Sequence, residues 1–260
     1  MRLFLVFEET QFFQPEFVFD LIKLLKNTDE IKGAAVITKV PDSANLSKYL
    51  KKNWSKFYFK EILLLVYYKY SRLLISSLRA RLGTPPLYTI KHVLNYYDID
   101  WFPVEYKINA KSVLKKIRDV KPDVIINSGS LIFGVELLKI PTKCVINRHS
   151  SLLPSFGGLW PVFHAVRLGG SIGVTAHIMA RKIDAGLPLA QEKIDVKKLD
   201  TLFDIYKKTF NVSAKIVFKA IDKVRKNDFS SPVKKYQNSY FSWPTDEDWE
   251  QFRSKGMKWI

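Results

Sequence analysis

Apolar residues fall along this chain in two rhythms, short runs that suit strands and longer stretches with a helical repeat. Arg2 to Phe7, Gly33 to Val40, Trp101 to Val104, Val124 to Asn127 and Cys144 to Ile146 read as strands, the third interrupted by Pro103. Between them, Pro15 sits near the start of a helix with Phe17, Phe19, Leu21, Ile22 and Leu25 on a largely buried face. Residues 46–82 contain no Gly or Pro and stop at Gly83, so they read as helical. Residues 88–96 and Lys111–Val120 predict two further helices, and Pro161 opens another after a tightly turned stretch. Ile172 to Met179 predicts a strand, and about Leu199 to Arg225 a long helix. Strands alternating with helices predict an α/β fold, a doubly wound, mostly parallel, Rossmann-like sheet with ligands beyond the strands' C-terminal ends. The Ser128-Gly129-Ser130 loop and the Asn147 loop are expected at neighbouring mouths of such a crevice. The expected organisation is a catalytic domain over 1–198, interrupted by a basic helical insertion at about 46–82. A short C-terminal appendage over 199–260, a helix plus a hairpin with an aromatic tail, completes it.

Composition supports a packed core, with 47% hydrophobic and 14% aromatic residues in 260. The net charge of +17 is uneven. Residues 48–81 carry Lys48, Lys51, Lys52, Lys56, Lys60, Lys69, Arg72, Arg79 and Arg81 against Glu61 alone, interleaved with Trp54, Phe57, Tyr58 and Phe59. Such a stretch suits RNA, an anionic membrane surface or a partner subunit, a homodimer included; a solvated basic face is the plain alternative. Leu63, Leu64, Val66 and Leu73 are expected to pack against the domain or a second subunit. A single cysteine, Cys144, excludes an internal disulfide framework and leads to an expectation of a reducing, cytoplasmic location. The first residues read as a strand rather than a leader, and no apolar run reaches the length of a membrane span.

The candidate chemistry gathers between residues 144 and 192. Asn147 and His149 stand two apart, so in extended chain they point the same way. Leu152-Leu153-Pro154 and Gly157-Gly158 force a turn, and a later loop carries Asp184-Ala185-Gly186. An amide, an imidazole and a carboxylate at strand ends are raw material for proton transfer beside an oxyanion site. Taken singly, His149 reads as a satisfied loop histidine and Asp184 as an Asx turn. His164 reads as structural or a rim residue, and His177 as either packed in its strand or supporting a neighbouring site residue. The four histidines show no paired-ligand spacing, and no metal is expected.

Asn147, His149, Ser151-Leu152-Leu153-Pro154, Gly158, Gly173-Val174-Thr175, His177 and Asp184-Ala185-Gly186 together resemble the folate-dependent formyltransferase family. The resemblance covers roughly residues 85–195. Arg148 and Ser150 depart from its usual pattern, which makes Arg148 a candidate to read the acceptor. The resemblance implies Asn147, His149 and Asp184 as the catalytic residues and 10-formyl-tetrahydrofolate as the co-substrate. Gly129, Leu131, Ile132, Arg181 and Ile183 are then the candidate folate-binding residues. The implied acceptor is the amine of a nucleotide-linked amino sugar, with Tyr240 and Trp243 either stacking on it or sealing the tail to the core. A methionyl-tRNA formyltransferase-like enzyme and a non-catalytic nucleic-acid-binding relative are the alternatives.

Overall fold

The protein is described from a computed structural model, over residues 1–10, 12–232 and 236–260. The chain divides into two compact units, residues 1–145 and 146–260. The boundary falls inside a strand, and the position near 198 expected from the sequence lies within the second unit.

The first unit starts with β1 (Arg2–Glu8), α1 (Gln14–Leu25) and β2 (Glu30–Lys39). The basic stretch follows as α2 (Leu46–Lys52) and α3 (Phe59–Arg81), then come α4 (Ile90–Tyr96) and β3 (Trp101–Glu105). It closes with α5 (Lys111–Asp119), β4 (Val124–Ser128) and α6 (Val135–Leu138). β1 pairs in parallel with both β2 and β4, and β2 in parallel with β3. All five residues of β4 are buried, as its unbroken apolar run requires of a strand covered on both faces. Pro103 is accommodated because β3 lies at the edge of the sheet.

The leucine and valine side chains expected to pack do not bury themselves against this chain. Leu63, Val66 and Leu73 are exposed, and Glu61 and Ser76 are the buried residues of α3. The helix is attached by polar and aromatic contacts instead. Arg72 pairs with Glu16 and donates to the Leu87 carbonyl at 2.7 Å, and Tyr68 stacks on Phe12.

The second unit runs through β5 (Cys144–His149), β6 (Gly157–Gly158), α7 (Pro161–Leu168), β7 (Gly173–Ile178) and β8 (Pro188–Lys193). It ends with α8 (Leu202–Arg225), β9 (Tyr240–Phe241) and α9 (Asp246–Ser254). β7 pairs antiparallel with both β5 and β8. The seven long strands run β3-β2-β1-β4-β5-β7-β8, so the mostly parallel α/β fold holds with an antiparallel edge. α8 covers β7 and β8. It begins at Leu202 rather than Leu199 because Thr201 caps it, its hydroxyl accepting from the Asp204 N–H while Asp204 returns the bond to the Thr201 N–H.

In the tail the expected hairpin is replaced, among the described residues, by one short strand and a helix. β9 pairs in parallel with β6. The same capping pattern at Thr245 and Asp248 starts α9 soon after the strand ends at Phe241. Trp249 and Phe252 of α9 are buried, with Phe163 of α7 within 4.9 Å of both rings.

Candidate active site

Pairing between β5 and β7 builds the site. Asn147 faces His177 across the ladder and His149 faces Thr175, so the period-two alternation of each strand brings both β5 side chains to one face. Asn147 and His149 thus belong to the strand itself and not to a loop beyond its end, which fixes their directions more firmly. Arg148 points the opposite way. It lies buried against α8, its Nε donating to Ser213 Oγ at 2.8 Å and its guanidinium 3.9 Å from the Phe210 ring centroid. The acceptor-reading role considered for Arg148 is therefore corrected: it faces away from Asn147 and His149. Burial pulls its ionisation down to about 9, with Tyr206 opposing the shift.

Carbonyl oxygens fix the tautomers of both histidines, because a carbonyl only accepts. His149 Nε2 lies 3.0 Å from the Phe156 carbonyl, so Nε2 carries the hydrogen and Nδ1 is left to receive a proton. His177 Nδ1 lies 3.1 Å from the Ile178 carbonyl, so its Nε2 is the acceptor and takes a hydrogen bond from the Asn147 amide at 3.2 Å. That bond also settles which way the Asn147 amide faces, its nitrogen toward His177. Burial pushes the His177 imidazole down to about 4, with the Asp184 carboxylate opposing the shift and His149 adding to it. The ring that orients Asn147 is thus neutral near pH 7. His177 is thus both buried in its strand and in support of a site residue, the two roles the sequence offered; that Asn147 is the residue it supports is legible only once the register is known.

Asp184 stands against both rings. Its Oδ1 is 3.7 Å from His149 Nδ1 and 3.7 Å from His177 Nε2. Its Oδ2 accepts the Gly158 N–H at 2.8 Å. The backbone of Asp184 is left-handed (φ 52°), and a Cβ on Gly186 would fall 1.6 Å from the Ile178 carbonyl oxygen. Gly186 is therefore needed for the turn to close against the end of β7, and an aspartate tolerates the left-handed backbone before it.

The turn between β5 and β6 is held from the opposite side. Thr175 Oγ1 donates to the Ser151 carbonyl at 2.6 Å and accepts the Leu153 N–H at 3.0 Å. Gln191 of β8 donates to the Leu153 carbonyl at 2.7 Å. β8 and Gln191 escaped the sequence reading because Pro188-Leu-Ala-Gln-Glu-Lys193 has only two apolar side chains and no clear alternation. A pocket of about 170 Å³ opens here, lined by Leu153, Pro154, Asp184, Ala185, Gly186, Pro188 and Gln191. Arg181 and Ile183 lie in the exposed segment leading to Asp184.

The remaining candidates sit in the first unit, in the loop after β4. Glu8 accepts the Ser130 N–H at 3.0 Å, and Asn109 donates to the Ile132 carbonyl at 2.9 Å. Between these ties Leu131 is buried and Ile132 exposed. A Cβ on Gly129 would lie 2.7 Å from Ile37.

Two other groups are excluded from the chemistry by their surroundings. Burial pushes the Cys144 thiol up to about 11, which suppresses any thiolate. His164 donates through Nε2 to the Ser242 carbonyl at 3.0 Å and stacks on Phe241 at 4.5 Å, a structural role. Trp243 packs on Trp160, while Tyr240 stays exposed.

A family model described as formyl transferase matches residues 2–221. Among curated proteins, methionyl-tRNA formyltransferase of Borreliella afzelii (strain PKo) is 35% identical over 133 residues, half of this chain and 42% of that protein. The chain spans less than half the length of the curated relatives it matches. Among solved structures, phosphoribosylglycinamide formyltransferase from Anaplasma phagocytophilum aligns with TM-score 0.60 and 16% identity, over 87% of this chain and 88% of that one. A sugar N-formyltransferase from Shewanella sp FDAARGOS_354 aligns with TM-score 0.56 and 15% identity, over 93% and 76%. At such identities these likenesses establish the fold alone.

Proposed function

The chain belongs to the formyl transferase family, and from that premise we propose that it moves a formyl group from 10-formyl-tetrahydrofolate to the amine of a nucleotide-linked amino sugar. The observation that carries the chemistry is the meeting of Asn147, His149 and Asp184, with His149 Nδ1 facing Asp184 at 3.7 Å and Asn147 turned by a neutral His177. Asn147 donates to the oxygen on which charge collects as the amine adds to the formyl carbon, a donor whose loss costs about 3 kcal/mol. His149 receives the amine's proton at Nδ1, with Asp184 holding the imidazolium that results. As the intermediate collapses, the bond from the formyl carbon to the folate N10 breaks and that proton returns to N10 through the His149–Asp184 pair, releasing tetrahydrofolate. The apolar walls of the adjacent pocket, with Asp184 and Gln191 as its polar groups, suit the ring end of a folate.

The sugar acceptor is supported by Tyr240. A Cβ on Gly157 would meet the Asp184 Cβ and the Tyr240 ring at 3.3 Å each, so an exposed aromatic ring lies in the neighbourhood of Asp184, where it is free to stack on a base or sugar. A methionyl-tRNA acceptor is the second reading, favoured by the names of the curated relatives. Incubation with 10-formyl-tetrahydrofolate and either a panel of nucleotide-linked amino sugars or charged initiator tRNA separates them. A mass gain of one formyl group on a sugar nucleotide is expected. Formylation of the aminoacyl-tRNA alone would replace the first reading with the second, and no transfer to either would refute both.

A further inference from the structure

α3 is a 23-residue helix whose outer face stays exposed among the described residues. At 3.6 residues per turn, Phe59, Leu63, Tyr67, Tyr70, Leu74 and Leu78 form one continuous stripe. They are 48–75% exposed. The opposite face carries Glu61, Tyr68, Arg72, Ser76 and Arg79, through which the helix is tied to α1 and to the segment before α4. Exposure of the stripe is therefore not a failure of attachment. The helix is fixed by its inner face and presents the outer one.

Single exposed leucines need no explanation, but an aligned stripe of this size does. Lys60 stands at one edge of it and Lys69 further round the helix beyond the other edge, and neither has an ion-pair partner among the described residues. Trp54, also exposed, and the lysines of α2 extend the same composition toward the N-terminus. The acceptable occupant must be apolar along the stripe and anionic at its edges. A second copy of this chain supplies the first and not the second, since it would bring another row of lysines against this one. RNA supplies the second and not the first, since Leu63, Leu74 and Leu78 gain nothing from phosphates. An anionic bilayer supplies both. No helix among the described residues is long and apolar enough to cross a membrane, so the fitting geometry is a helix lying in the plane of the interface.

We propose that α3 docks the protein on an anionic lipid surface, burying the Phe59–Leu78 stripe among acyl chains while Lys60 and Lys69 meet lipid phosphates. The proposal is independent of the acceptor and of the catalytic residues. Its test is sedimentation of the full chain with vesicles of phosphatidylglycerol and phosphatidylcholine, and with vesicles of phosphatidylcholine alone, at about 0.1 M salt. Binding to the mixed vesicles and much less to the neutral ones is expected. The combined substitution Leu63→Ser, Leu74→Ser, Leu78→Ser should lower that binding by about tenfold or more. Lys60→Gln with Lys69→Gln should weaken binding to the anionic vesicles only. Because all five positions are exposed, circular dichroism and thermal unfolding should match wild type and confirm that each variant is folded. Absence of vesicle binding, or binding indifferent to the leucine substitutions, overturns the proposal. So does a dimer in light scattering that the leucine substitutions dissociate, which assigns the stripe to a second copy. Salt-sensitive RNA binding that survives those substitutions, without vesicle binding, assigns the charge to a nucleic acid and overturns it equally.

Discussion

The Gly158 N–H and the Asp184 carboxylate are joined by a 2.8 Å hydrogen bond, and this bond ties the C-terminal tail to the chemistry. Gly158 has φ +90°, and a Cβ there would fall 2.0 Å from the Phe241 carbonyl oxygen in the paired strand β9. The glycine thus lets β9 approach closely enough to hold the β6 backbone, which in turn aims one N–H at Asp184. Gly158→Ala should break the pairing and misplace the carboxylate. A hydrogen bond to a charged group contributes about 1.5–3 kcal/mol, so kcat/KM for formyl transfer should fall by roughly tenfold to a hundredfold. Steady-state kinetics on the folded variant checks this. A variant with wild-type kcat/KM would mean that β9 contributes only to folding.

The buried neutral His177 makes stability depend on pH in a defined direction. Its ionisation is held near 4 in the folded protein, below the ordinary histidine value of 6.5, so between these values the unfolded chain binds more protons. Stability is then fully present above pH 6.5 and falls as pH drops toward 4, by about 3 kcal/mol at the bottom of the window. His164, also lowered by burial, acts in the same direction. Thermal unfolding of wild type and His177→Gln from pH 7.5 to pH 5 isolates the His177 share. The wild type should lose more stability over that range than the variant. Parallel curves would show that His177 is accessible to protons in the folded state.

Arg148 provides a test of packing under α8. Its partners Ser213 and Thr209 already donate to the carbonyls of Thr209 and Tyr206 at 2.6 and 2.7 Å. Replacing Arg148 by methionine leaves neither hydroxyl without a bond, keeps contact with Phe210 and removes a buried charge that lacks a carboxylate. Arg148→Met should therefore fold with stability equal to wild type within about 1 kcal/mol, or greater. Chemical denaturation measures it, and a loss of several kcal/mol would mean that the guanidinium does more than the neighbouring hydroxyls reveal.

Much of this molecule is legible in its sequence because apolar runs and breaker residues record burial and chain reversal directly. β1, β4 and α5 follow from such patterns almost to the residue, and the shared face of Asn147 and His149 follows from their spacing, while their part in the chemistry is implied only by the family resemblance. Pairing partners are not recorded in that way. Nothing local in Gly157-Gly158 announces that Tyr240-Phe241 will lie beside it, or that Gln191 will hold the Leu153 turn. α3 shows a related limit. Leucine predicts burial against the same chain only when that chain has a surface to offer, and the inner face of α3 is occupied by Tyr68 and Arg72.

The central claim is that His149 acts on the reacting centre, through the nitrogen that faces Asp184. The most direct measurement is the single-turnover rate of formyl transfer by His149→Ala, alongside its affinity for a non-reactive tetrahydrofolate analogue. The rate should fall by about a hundredfold to ten-thousandfold while analogue binding stays close to wild type. Wild-type turnover, or a loss of binding equal to the loss of rate, would contradict the role given to His149.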